Sequence, residues 1–294
     1  SDAVKAELTF NKATIDFSDI TADGSINFQN AVNAGSNGTG IFNITAPEVN
    51  IGVLNDNTVS TSVAADTIVS SHALNIKDAT LTVAGIEAQD VNFLGAVNSA
   101  SRLQVDAPTL TLNGASVSFT GTAEAVFRGT DISVSDSELS AAGKLTLIGT
   151  NLGFSGANTL IEKVGFEADS VTVDGANLTG SVNLTTPELS FANGGQVDGA
   201  LTVKAATEAG EVNLTGGVNV TGAVTLDAAW ANIGDGNTDT SITAGSVTGT
   251  GNLLLNKTGV AVTSAIATTA ATGEIELKGA IDAAGRTVAF DAPT

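Results

Sequence analysis

The sequence predicts an all-β protein, a parallel β-helix (β-solenoid) of about 13–14 coils with roughly 19–24 residues in each. Three observations predict it. An apolar–x–small triplet recurs along most of the chain at spacings of 16 to 24 residues. Between the triplets lie short runs of period-2 alternation, such as "SVTV", "LTLNGASVSF" and "EVNLTGGVNVTGAVTL", separated by DG, NG, GA, TG or SG pairs. Period 2 marks half-buried strands, and those pairs mark turns. Finally, all four prolines occupy one context: "ITAPEVNI", "VDAPTLTL", "LTTPELSF" and "FDAPT".

Residues 1–19 open on "SDAVKAEL", which breaks the pattern and has mild helical character. They are expected to form an N-terminal cap or a first irregular coil, since an open solenoid end exposes unpaired backbone. Residues 20–294 are expected to form a single β-solenoid domain. Its anchors are Ile20, Ile44, Val63, Ile86, Val105, Phe127, Leu147, Phe166, Leu184, Val203, Leu226, Ile242, Ile266 and Phe290. Two residues after each stands Ala, Gly or Thr. Five residues after many of them a second apolar residue follows, as at Val49, Ile68, Val91, Leu110, Ile132, Leu152, Val171, Leu189 and Val247. The stretch "QNAVNAGSNGTG" before Ile41 reads as a loop.

A repeat of this length excludes propeller blades, which need about twice as many residues, and the Leu/Asn ladder of leucine-rich repeats is missing. One turn of a parallel β-helix fits, with three short strands and three corners. The small residue then lies at a corner where neighbouring coils approach closely. Proline beside it is in place, because it fixes φ and donates no hydrogen bond.

Composition supports this reading. The apolar residues are mostly Val, Ala, Leu and Ile, with 11 Phe, one Trp and no Tyr or Met. β-Branched residues and turn formers predominate over helix formers. The chain has 31 acidic against 11 basic residues, a net charge of −20. That excludes nucleic acid, because no basic patch exists to release phosphate counterions. It equally disfavours anionic membranes, and no apolar run is long enough to insert into a bilayer. With no cysteine, disulfides and thiolate metal sites are excluded.

Little in the sequence carries chemistry. Asp235, Asn237 and Asp239 in "GDGNTDTS" resemble the start of a calcium loop, with oxygen ligands at alternate positions. Thr240 and Ser246 stand where an EF-hand has Gly and Glu, so the expectation is a polar loop or a weak surface Ca²⁺ site. "NIGVLNDNTVSTS", from Asn50, looks like a relative of this loop. His72, the single histidine, is expected at the surface. Trp230 is expected to plug the core of an enlarged coil, with an exposed contact as the alternative. Paired carboxylates could build a polysaccharide-cleaving site on a β-helix face. The acids, however, are scattered, and only Arg102, Arg128 and Arg286 carry a guanidinium.

"FEADSVTVDGANLTGSVN" followed by "LTTPELSFANGGQVDGALT" resembles filamentous haemagglutinin-type repeats. These belong to exported bacterial adhesins of the two-partner secretion and autotransporter class. No Asn-Pro dipeptide occurs, so the resemblance does not extend to that family's secretion domain. It implies a right-handed β-helix on the bacterial cell surface, or secreted, and brings no catalytic residues. The expected function is therefore structural or adhesive, without enzymatic activity or a required cofactor. The expected partners are other copies of the chain, a host or neighbouring-cell surface, or a polysaccharide. The coil opened by "FDAPT" is expected either to be completed by a second subunit, giving head-to-tail stacking, or to continue in a longer chain. Alternatives are a carbohydrate-active β-helix enzyme, marked by a groove with converging acids and a basic residue, or a calcium-dependent surface-layer component.

Overall fold

The computed structural model describes residues 8–10, 19–29, 32–33, 41–52, 61–160, 163–236, 240–256, 258–282 and 288–293. Among these the regular structure is entirely β. The strands pair in parallel and stack as a β-solenoid of about 12 turns. The chain divides into two compact units, Ser1–Ile148 and Gly149–Thr294. Of the segment 1–19, Leu8–Phe10 is a strand in parallel register with Ser25–Phe28, placing Leu8 beside Ile26.

Three faces build the first unit. On the first face Ile20 pairs with Ile44, and further along Ile68, Ile86, Val105, Phe127 and Leu147 follow coil by coil. The second face stacks Ile26, Val49, Leu74, Val91, Leu110 and Ile132. The third stacks Val32, Val63, Leu81, Ser99, Phe119 and Ala141. Apart from Val32, whose side chain lies outside the described residues, alternation turns these residues inward, and the other apolar ones from Ile26 to Phe127 are almost fully buried. The faces meet at three phenylalanines. The Phe127 ring stacks on Phe93 at 5.2 Å and meets Phe119 edge-on at 5.7 Å. Such pairs add roughly 0.5–1.5 kcal/mol each beyond their burial.

The second unit repeats the plan. Phe166, Leu184, Val203 and Leu226 stack on the first face, which continues through Val247, Ile266 and Phe290. The second face runs Val171, Leu189, Leu214, Ile233, Leu255 and Leu277. The third includes the run Val218, Ile242 and Val260.

Two sequence anchors are thereby reassigned. Val63 and Ile242 lie on the third face, and Ile68 and Val247 take their places on the first. "VAA" and "ITA" satisfy the triplet locally, but only pairing distinguishes one corner from another. A second correction concerns Trp230. In Trp230–Ile233 alternation sends Ala231 and Ile233 inward, so the indole stands half-buried on the outer side, between Glu211 and Asn252 in neighbouring coils.

An asparagine ladder runs along the outer side of the first unit's second face. Asn27, Asn50, Asn75 and Asn92 are in register. The Asn50 amide donates to Asn27 Oδ1 at 2.7 Å, Asn75 to Asn50 at 2.8 Å and Asn92 to Asn75 at 2.8 Å. In the second unit Asn232 donates to Asn213 at 2.7 Å, and Asn213 to Glu188 Oε1 at 2.8 Å.

The candidate corner groove

The corner between first and second faces is where Ala88, Ala107 and Gly129, the small residues of three first-face triplets, lie. In Gln104–Asp106 the alternation puts Val105 inward and Asp106 outward, and Ala107 then turns back in and is buried. The bend keeps its inter-coil hydrogen bonds. Ala88 N donates to Asp106 O at 3.2 Å, Ala107 N to Arg128 O at 3.0 Å, and Gly129 N to Ile148 O at 3.0 Å. A methyl group at Gly129 would lie 2.8 Å from Ala107 O, which is why this position stays small. Pro47, Pro108 and Pro187 follow this corner residue, as the sequence predicts. Pro293 does not, because the pairing of Phe290 with Ile266 sets it two residues out of phase with them. Having no N–H, proline gives up no bond there, while Pro108 O accepts from both Thr130 N (2.8 Å) and Asp131 N (3.0 Å).

Small residues stacked coil upon coil leave a trough. In the first unit it encloses about 600 Å³ and crosses four successive coils, at Val69–Ser70, Glu87–Gln89, Asp106–Pro108 and Arg128–Thr130. Ala88, Ala107 and Gly129 form the floor. Glu87, Asp106 and Arg128 stand in register along one bank, all exposed. Gln89, Pro108 and Thr130, also exposed, line the other. Arg128 Nη1 lies 4.0 Å from Asp106 Oδ1, an open pair of small energetic weight. Glu87 and Asp106 bring two like charges to neighbouring coils, a mildly unfavourable arrangement on stability grounds alone. The second unit has a smaller trough of about 270 Å³ at the same corner, lined by Lys204, Asp227, Ala228, Ala229, Thr250 and Gly251 among others. Lys204 Nζ lies 3.5 Å from Asp227 Oδ2, and Thr250 donates to Asp227 Oδ1 at 2.9 Å.

Sequence reasoning overlooked this trough. The signal was in the column one residue after each anchor, which reads Glu87, Asp106, Arg128 and later Lys204, Asp227. Acids that look scattered along the chain become neighbours once coils are stacked in register.

The other singled-out residues lie apart from it. Asp235 is exposed, and Asn237 and Asp239 lie outside the described residues. Among the described residues no group of three or more His, Asp or Glu side chains is placed to hold a metal. The two related loops do share an address. Each leaves the second face at a positive-φ glycine, Gly52 (φ 97°) or Gly234 (φ 91°), and the chain rejoins the third face at a buried threonine, Thr61 or Thr240. A side chain at either glycine would collide with a backbone carbonyl of the next coil, of Lys77 or Asn256. His72 is exposed in the turn after Thr61–Ser70, its Nδ1 2.9 Å from Ser71 Oγ. No helix among the described residues is long and apolar enough to cross a membrane.

No family model, no curated protein and no solved structure matches the chain.

Proposed function

We propose that the protein is an exported bacterial surface component, a structural or adhesive β-solenoid that acts by associating with further copies of itself. Export and the cell surface follow from the repeat resemblance. Self-association is supported by one observation above all: two large apolar residues, in Ile275–Lys278 and Ala289–Asp291, are exposed. Leu277 is 49% exposed and Phe290 43%, where earlier members of the same stacks are buried. Among the described residues Ala289–Asp291 pairs along one edge only, with Ala265–Thr268. An unpaired apolar strand edge is a template for another strand.

The occupant that fits is the first coil of a second copy. Leu8–Phe10 belongs to the second face, as Leu277 does, and Asp19–Thr21 to the first, as Phe290 does. Stacking head to tail would set Phe10 and Ile20 over Leu277 and Phe290 and continue the ladders in phase. Such an interface is heterologous and builds open filaments rather than closed dimers. The function proposed is presentation of surface, with no chemical step.

Sedimentation velocity and electron microscopy over a concentration series test this, on the 294-residue chain and on the native polypeptide that contains it. Linear oligomers that grow with concentration are expected, and L277D with F290D should shift the distribution to monomer while leaving the circular dichroism spectrum unchanged. Monodisperse particles at high concentration, or association of the chain alone without that of the native polypeptide, would overturn the proposal.

A further inference from the structure

We propose that the corner trough of the first unit, between Glu87, Asp106 and Arg128 on one bank and Gln89 and Thr130 on the other, binds a neutral linear glycan lying along the stacking direction. The inference is separate from self-association and uses a different surface.

Shape comes first. The trough is shallow and runs across coils instead of closing over a pocket, so it suits an extended polymer better than a compact ligand. Its groups repeat at the inter-strand spacing of about 4.8 Å. That is close to the length of one pyranose unit in an extended β-linked chain, so about one sugar would fall at each coil.

The lining has the two components that sugar recognition needs. The Ala88–Ala107–Gly129 floor is apolar and lies low because its residues are small, leaving room for the C–H face of a sugar ring. The banks supply directional polar groups. A carboxylate can accept from two adjacent hydroxyls at once, a guanidinium donates through a planar fork, and the amide of Gln89 and the hydroxyl of Thr130 can do both. These groups are exposed, and among the described residues their side chains are committed only to the long Arg128–Asp106 pair, so little would be lost on engaging a ligand.

Charge selects the class. A polyanion would meet Glu87, Asp106 and a chain of net charge −20, against the one cation Arg128 in the trough. A polycation would meet Arg128 in the last of the four coils, beside Asp106. A neutral polymer of hydroxyl-rich units satisfies all three charged groups through hydrogen bonds.

The test is a titration followed by amide NMR and calorimetry, on the L277D/F290D protein so that association does not interfere. The probes are neutral β-linked hexose oligomers of the glucose, mannose and galactose series, compared with oligogalacturonate and with chitosan oligomers. Neutral oligomers should bind, with shifts concentrated at Ala88, Ala107 and Gly129. E87A with D106A should weaken binding at least about tenfold, roughly 1.4 kcal/mol. E138A, on a different corner, should leave binding unchanged. Absence of binding by every neutral series, preference for either charged oligomer, shifts away from the trough, or indifference to E87A/D106A would each overturn the proposal.

Discussion

At the scale of the residue, the most informative side chains are three threonines in equivalent surroundings. Thr61 and Thr240 are 0% and 4% exposed, and their hydroxyls have no hydrogen-bond partner. Thr258 is equally buried but donates to Ile233 O at 2.7 Å. An unpaired buried hydroxyl costs about 1–3 kcal/mol, whereas a satisfied one contributes about 1 kcal/mol. T61V and T240V are therefore expected to leave stability unchanged or raise it by about 1 kcal/mol, and T258V to lower it by about 1–2 kcal/mol, as read from denaturant midpoints at constant m-value. The corner floor makes a second case. A107L inserts a large side chain between closely approaching coils and should cost about 1–3 kcal/mol, measured in the same way. The corner's demand for a small residue was legible in the sequence, and so was the place of Pro47, Pro108 and Pro187, because both follow from local backbone constraints. The outward phase of Trp230 was not. A large aromatic residue is a good core candidate by size, and only the register of Ala231 and Ile233 decides which way it points.

At the scale of the element, the ladders carry the structure. Parallel strands with no sequence-local partner derive their register from inward apolar residues, and a one-residue slip would turn every side chain to the wrong side. The period-2 runs made the strands legible. The assignment of strands to faces was less so, because Val63-Ala64-Ala65 and Ile242-Thr243-Ala244 imitate the first-face triplet while standing on the third face. Both lie just after the related loops, whose extra length hides the true spacing. The asparagine ladder is an element in its own right. N75A removes the donor to Asn50 and the acceptor for Asn92 together, and thermal or denaturant unfolding should show a loss of about 1–2 kcal/mol. The candidate trough was illegible for a related reason: Glu87, Asp106 and Arg128 are 19 and 22 residues apart in the chain and become neighbours only through pairing.

At the scale of the whole molecule, charge opposes association. Every copy carries −20, so copies repel at low ionic strength. The Debye length falls from about 30 Å at 0.01 M salt to about 8 Å at 0.15 M. If apolar coil ends join, the sedimentation distribution should move to larger species as salt rises over that range, the reverse of what an ion-pair interface would do. The four ion pairs found among the described residues are all solvent-exposed, so screening them should change the stability of either unit little.

The asparagine ladder also has a direction. Each amide donates to the coil before it, in the run from Asn92 to Asn27 and again from Asn232 to Asn213. Aligned amides add their dipoles, as peptide groups do along a helix. The position receiving the last proton needs only to accept, and in the second unit it is a carboxylate, Glu188. An acid is therefore suited to the Asn27 position and misplaced at Asn92, where it would have no proton to offer Asn75. Each unit thus has a polarity written in its side chains as well as its backbone, and two coils carrying the same amide are not interchangeable along the stack.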